Sequence, residues 1–132
     1  MMTLRSNALG RAGEAAAAAY LEAAGYAVIA RNWRLPPRGG ELDIVAHDGI
    51  WLVFVEVRSR RVSTDEAGPI AGTPEESITP AKQARLAKLA EAYLYEHPWA
   101  GPARIDVIAL ELAADGTVAR LNHLRDAVGG AG

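Results

Sequence analysis

The sequence predicts an α/β fold, a mixed central sheet flanked by helices, and three observations carry that expectation. Two helical segments rich in alanine and leucine frame a block of β-branched, alternating residues. An Asp48-Gly49 dipeptide sits inside that block, a strong hairpin signal. Alternation resumes after the second helix, so the order is helix, three strands, helix and one or two strands. With 132 residues, half of them apolar and 23% charged, the chain has room for one core and is neither disordered nor fibrous. A single domain over 1–128 with a frayed tail at 129–132 is expected.

The elements follow in order. Residues 8–24 are helix formers, Ser6 or Asn7 can cap their start, and Gly25 stops them. From Tyr26 to Arg34, Tyr26, Val28 and Ala30 share one parity and mark a strand, which Pro36-Pro37-Arg38-Gly39-Gly40 ends. Glu41 to Ala46 and Ile50 to Arg58 form the hairpin around His47-Asp48-Gly49. Residues 59–78 are polar and aperiodic, the signature of a long flexible loop, broken only by the short helical turn that Thr73-Pro74-Glu75-Glu76 encodes. Thr79-Pro80 starts a second helix, in which Leu86, Leu89, Ala90, Tyr93 and Leu94 recur at helical spacing as far as His97-Pro98. Its polar side carries Lys82, Arg85 and Lys88. Arg104 to Leu112 and Val118 to Leu124 read as strands around the Asp115-Gly116 turn.

Composition excludes several kinds of chemistry. The absence of cysteine removes disulfides, thiolate zinc sites, iron–sulfur clusters and cysteine nucleophiles, leaving oxygen and imidazole as ligands. His47, His97 and His123 show no ligand spacing, and no Walker, Rossmann or Gly-x-Ser-x-Gly pattern occurs. A net charge of -2 provides no global field for nucleic acid, so any such binding needs a local patch. No apolar run approaches the roughly 20 residues of a membrane helix. Glu14 and Glu22 interrupt what could otherwise pass for a signal peptide after Arg5 and Arg11, so the expected location is the cytoplasm.

The chemistry gathers on the hairpin. Glu41, Asp43 and Val45 share a parity, as do Leu52, Phe54, Glu56 and Arg58. With the turn centred on Asp48-Gly49, Asp43 opposes Phe54 and Glu41 opposes Glu56, and three carboxylates meet on one face. Glu56 interrupts the apolar run Val53-Phe54-Val55 and Val57, where an acid is costly unless paired or coordinating. Oxygen ligands select Mg²⁺, Mn²⁺ or Ca²⁺, and a carboxylate-bound Mg²⁺ commonly works on phosphates. Structural ion pairing of Glu56 with Arg58, Arg60 or Arg104 explains the same spacing equally well.

The stretches Gly40-Glu41-Leu42-Asp43-Ile44-Val45-Ala46 and Leu52-Val53-Phe54-Val55-Glu56-Val57-Arg58-Ser59-Arg60 resemble the signature of the YraN-like family of small bacterial proteins. Gly13-Glu14, Tyr20-Leu21, Asn32, Arg34, Pro74-Glu75-Glu76, Lys82-Gln83 and Arg104-Ile105-Asp106-Val107-Ile108 extend the resemblance almost end to end. That family in turn is similar to the restriction-endonuclease-like, or PD-(D/E)xK, nucleases, Holliday-junction resolvases among them. The resemblance implies a helix-β-β-β-helix-β core and a Mg²⁺- or Mn²⁺-dependent endonuclease cleaving DNA, branched or structured DNA included. It makes Asp43 and Glu56 metal-binding and catalytic, Glu14 the helix-borne acid, and Val57 the donor of a backbone carbonyl, with Glu41 close by. Arg58 stands where the pattern has lysine. Arginine keeps its proton, so it can neutralise phosphate charge without acting as a base. The proline of the motif is replaced, since Leu42 precedes Asp43.

Other residues have two readings each. Glu14, early in its expected helix, is also explained by the helix dipole. Lys82, Gln83, Arg34 and Arg60 are expected to contact DNA phosphates, although Lys82 and Gln83 could equally be a solvated helix face. Arg31, Arg38, Arg58 and Arg61 add to a local basic patch. Trp33, Trp51 and Trp99 could stack bases but are expected to pack, Trp51 in the core. A nuclease scaffold that binds nucleic acid or a protein without turnover is the alternative function. A homodimer paired through the 59–78 loop is the third.

Overall fold

The computed structural model describes residues 2–62 and 73–128. Its order is α1 (Met2–Ala23), β1 (Ala27–Arg34), β2 (Glu41–Asp48), β3 (Trp51–Arg61), a single 3₁₀ turn (Glu75–Ser77), α2 (Pro80–Glu96), β4 (Ala103–Leu112) and β5 (Val118–Leu124). The five strands form one sheet in sequence order, antiparallel except for the parallel pair β3 and β4. A parallel pair needs a long crossover, and α2 supplies it. The expected helix-β-β-β-helix-β core is therefore present, with β5 as an added edge.

Each face of the sheet is covered by one helix. Ala17, Ala18 and Leu21 of α1 pack on Ile44, Ala46, Val53, Val55, Ile108 and Leu110. Leu86, Leu89, Ala90 and Tyr93 of α2 pack on Val45, Leu52, Phe54 and Ile105. The small residues of α1 allow a close approach, most of all at Gly13, where an added Cβ would collide with the Ser59 side chain. That closeness delivers the next residue, Glu14, to the end of the sheet where β2 and β3 separate. Thr79 caps α2 by accepting a hydrogen bond from the Lys82 amide at 3.3 Å, and Pro80 begins the first turn.

Several sequence-based expectations are corrected. Helix α1 starts at Met2, so Ser6 and Asn7 lie inside it rather than at its start. Glu14 is therefore three turns into the helix, where the N-terminal dipole no longer explains its presence. A register shift between Val28 and Ala30 reverses the alternation of β1. Val28 therefore shares the α1 side with Tyr26, as expected, and Ala30 alone switches to the α2 side. The β2–β3 turn is Gly49-Ile50, with Asp48 paired to Trp51, since Gly49 takes a φ of +59° at the first central position. The register thus moves two residues from the expected one, and faces are preserved. Strand β3 continues through Arg61 and the 3₁₀ turn claims Glu75–Ser77, so the expected loop 59–78 is shorter. Its middle, 63–72, and the tail 129–132 lie outside the described residues. Trp51 is 37% exposed instead of being core, with the Arg104 guanidinium 5.4 Å from its ring centre. Trp33 and Trp99 pack against the α2-side core.

Candidate active site

Backbone pairing between β2 and β3 reaches Ile44–Val55 and stops. One step further along the same register lie Asp43 and Glu56. There the Asp43 carboxylate enters the gap between the strands and accepts the Val57 amide at 2.8 Å. Leu42 beyond it packs with Val45 on the α2 side, so the alternation of β2 is broken at Asp43. The two-residue shift of register therefore has a functional consequence, since Asp43, rather than Glu41, lies level with Glu56.

Glu14 from α1 and Glu41 from the start of β2 complete the group. One carboxylate oxygen from each of Glu14, Glu41 and Asp43 lies within 4.8 Å of the others. Burial and the neighbouring Glu56 charge push the Asp43 acid up to about 8, against the Val57 hydrogen bond that lowers it. Burial, with the charges of Asp43 and Glu41, raises Glu14 as well. Like charges gathered this closely repel unless a proton or a cation lies among them. The donor set is all oxygen, which suits a hard divalent cation.

Asn32 is the residue whose role was missed. It adopts a φ of +54°, uncommon outside glycine. With its amide turned to donate, its nitrogen lies 3.0 Å from a Glu14 oxygen and 3.3 Å from Glu41. Its place next to the β1 irregularity could not be read from an uninterrupted strand pattern, although asparagine tolerates this conformation better than most residues.

The acids line a cleft of about 920 Å³ together with Leu35, Pro36 and Pro37 of the loop after β1 and Leu86 and Leu89 of α2. Arg34, Arg38, Arg58, Lys82 and Arg85 line it. Among the described residues, Arg38, Lys82 and Arg85 have no ion-pair partner, whereas Arg34 pairs with Glu41 at 3.2 Å. Arg58 donates through Nε to the Ser77 hydroxyl at 2.7 Å and lies 3.4 Å from Glu56. Arg60 and Gln83, expected at DNA phosphates, do not line the cleft and have partners within the protein. The Arg60 guanidinium pairs with Glu111 at 2.8 Å, and the Gln83 amide donates to the Ile78 carbonyl at 3.3 Å. Arg31 and Arg61 are exposed and do not line the cleft. Arg104, weighed as a partner for Glu56, is bound to Asp48 and Asp106.

Fold and site together define a small α/β protein with a carboxylate cluster under a cleft edged with cations. The family model described as uncharacterised protein family UPF0102 matches residues 13–110. The chain is 50% identical to a UPF0102 protein of Symbiobacterium thermophilum, covering 84% of this chain and 88% of that one. It is also 50% identical to one of Chloroflexus aurantiacus over 92% of each chain, and 47% identical to one of Roseiflexus castenholzii over 96% and 98%. The chain belongs to the UPF0102 family, the YraN-like group. The matched span takes in Glu14, Asn32, Glu41, Asp43, Glu56 and Arg58, the whole of the site.

Proposed function

We propose that the protein is a divalent-cation-dependent endonuclease of the cytoplasm, cutting the phosphodiester backbone of DNA, including branched or structured DNA. The observation that carries this reading is the meeting of Glu14, Glu41, Asp43 and Glu56 in a cleft whose walls present Arg38, Lys82 and Arg85. An acid held up at about 8 is a group waiting for positive charge, and the oxygen donors fit Mg²⁺ or Mn²⁺. Asp43 and Glu56 would hold the ion, with Glu14 and Glu41 beside them and the Val57 carbonyl as a further oxygen. When bound, such an ion polarises a phosphate oxygen and lowers the pKa of a water.

The remaining roles fall to the chain itself. Lys82 and Arg85 on α2, with Arg38 across the cleft, would hold the phosphates flanking the scissile one. Arg58 neutralises the charge that builds on the phosphorus, a task its permanent charge allows. Asn32 orients Glu14 and Glu41 through its amide.

Labelled linear, flapped and four-way-junction DNA, incubated with the protein and with Glu56→Ala in Mg²⁺, Mn²⁺ and chelator, tests the reading. Cutting is expected only with cation and intact Glu56. Retention of DNA without cutting, equal for both proteins, would overturn it in favour of a binding module on the same scaffold.

A further inference from the structure

The register of the sheet lays out two rows of side chains across β3, β4 and β5. One row reads Arg58, Ala109, Asn122, and the next reads Arg60, Glu111, Arg120. The 3₁₀ turn bridges both rows. Glu75 accepts two hydrogen bonds from the Arg120 guanidinium, both at 2.8 Å, and a third from the Asn122 amide at 2.9 Å. Arg120 in turn donates to Glu111 at 2.6 Å, and Glu111 accepts from Arg60 at 3.0 Å. Two residues beyond Glu75, the Ser77 hydroxyl receives the Arg58 Nε–H at 2.7 Å. The middle position of the first row is Ala109, the smallest residue there.

We infer that the 3₁₀ turn is a strap that positions the Arg58 guanidinium, with Ser77 as the contact and the Glu75–Arg120 pair as its anchor. This rests on the proposed function for what Arg58 does, but not for how it is held. An unsupported arginine on an edge of a cleft samples many rotamers and loses entropy each time it meets a charged group. Here one of its donors is occupied by Ser77, and another points at Glu56. The planar fork is thus aimed before substrate arrives, which is what makes a charged donor effective. Glu75 is suited to anchoring because its hydrogen bonds from Arg120 hold its carboxyl down at about 2, so the strap stays closed through the neutral range. Glu111 is held low for the same reason, by Arg120 and Arg60. The charge chain Arg60, Glu111, Arg120, Glu75 therefore serves Arg58 from outside the cleft.

The experiment compares wild-type protein with Ser77→Ala, Ser77→Thr and Glu75→Gln. The Nε–H resonance of Arg58, assigned by its loss in Arg58→Lys, reports directly on the strap. It should exchange slowly with solvent in wild type and in Ser77→Thr, and roughly tenfold faster or more in Ser77→Ala and Glu75→Gln, because the hydrogen bond that shields it from water is lost or loosened. Backbone spectra should change only near the 3₁₀ turn. Equal exchange in wild type and Ser77→Ala would overturn the inference, whatever the catalytic result. Cleavage by Ser77→Ala should lose about tenfold or more in kcat with KM unchanged, and Ser77→Thr should recover it. An unchanged kcat in Ser77→Ala beside an active wild type would also overturn it. A wild type that cuts no DNA while Arg58 exchange responds as described would sink the proposed nuclease and leave the strap standing.

Discussion

Asp43 and Asp106 lie on strands of the same sheet, and their surroundings drive them in opposite directions. Asp106 is fully buried, and burial alone would push its acid up. It ends below its ordinary value, since His123 sits 2.8 Å away, the Asp126 amide donates at 2.9 Å and Arg104 pairs with it at 3.0 Å. Asp43 rises to about 8, driven by its own burial and by the acids around it, with the single Val57 amide pulling the other way. Burial pushes both acids up, and the partners decide whether that push is offset, as at Asp106, or reinforced, as at Asp43. The Asp106 cluster, in which Arg104 also donates to Asp48 and to the Tyr26 hydroxyl, is a solution built for cohesion. The Asp43 cluster leaves a charge imbalance without an internal partner among the described residues, which is the imbalance that the proposed function would use.

The comparison can be broken in three ways. The largest effect is expected from Asp106→Asn, which removes the buried carboxylate shared by Arg104, His123 and the Asp126 amide and should cost about 3–5 kcal/mol in urea unfolding. A loss under about 1 kcal/mol would show that the two clusters differ less than their partners suggest. Next comes cation linkage. Mn²⁺ at a hundredfold excess over its Kd should stabilise wild type by about 2.7 kcal/mol and leave Asp43→Asn unmoved. A thermal melt indifferent to Mn²⁺ would deny the acid cluster its ligand.

The smallest effect is one of sign. The raised acid of Asp43 makes the cation-free fold favour its proton, so stability is full below 3.8 and drains away as the pH rises toward 8. Asp43→Asn should flatten that slope and, at pH 8, raise stability by about 2 kcal/mol. Glu75 behaves in the opposite way, giving stability that is present above 4.5 and lost as the pH falls toward 2. Denaturant midpoints measured across pH for wild type, Asp43→Asn and Glu75→Gln separate the two limbs, and parallel curves for all three would contradict the contrast.

Most elements were legible because hydrophobic period and punctuation agree. Thr79-Pro80 opens α2 as its capping chemistry demands, and the buried positions Leu86, Leu89, Ala90 and Tyr93 are the periodic ones. Where the reading failed, one local backbone choice was responsible. The hairpin register turned on whether Asp48 or Gly49 begins the turn, and Asp48 stays in the strand, where its carboxylate meets Arg104 at 3.1 Å. The β1 irregularity is hidden in Val28-Ile29-Ala30, all of which suit either face. Glu56 was recognisable as an acid in an apolar run and Asp43 from its place on the facing strand, whereas Glu14, inside the expected helix, reaches them only through the packing of α1 on the sheet, which has no local signature. The Asp106–His123 and Glu75–Arg120 pairs depend on how β5 is set against β4 and on where the 3₁₀ turn returns, neither of which has a local signature.

The parallel pairing of β3 with β4 has a kinetic consequence. Leu52 pairs with Ala103 and Arg61 with Leu112, each partner fifty-one positions along the chain. The β1–β2 and β2–β3 ladders, by contrast, join near neighbours. Local hairpins form fast, whereas distant pairings wait on loop closure. Asp43 and Glu56 are therefore brought level early, on the hairpin, and the row that carries Ala109, Glu111 and Arg120 docks beside them late. A nascent chain would carry its acid pair before it owns the means to aim Arg58, so the order of assembly keeps the site incomplete until the last long-range contact is made.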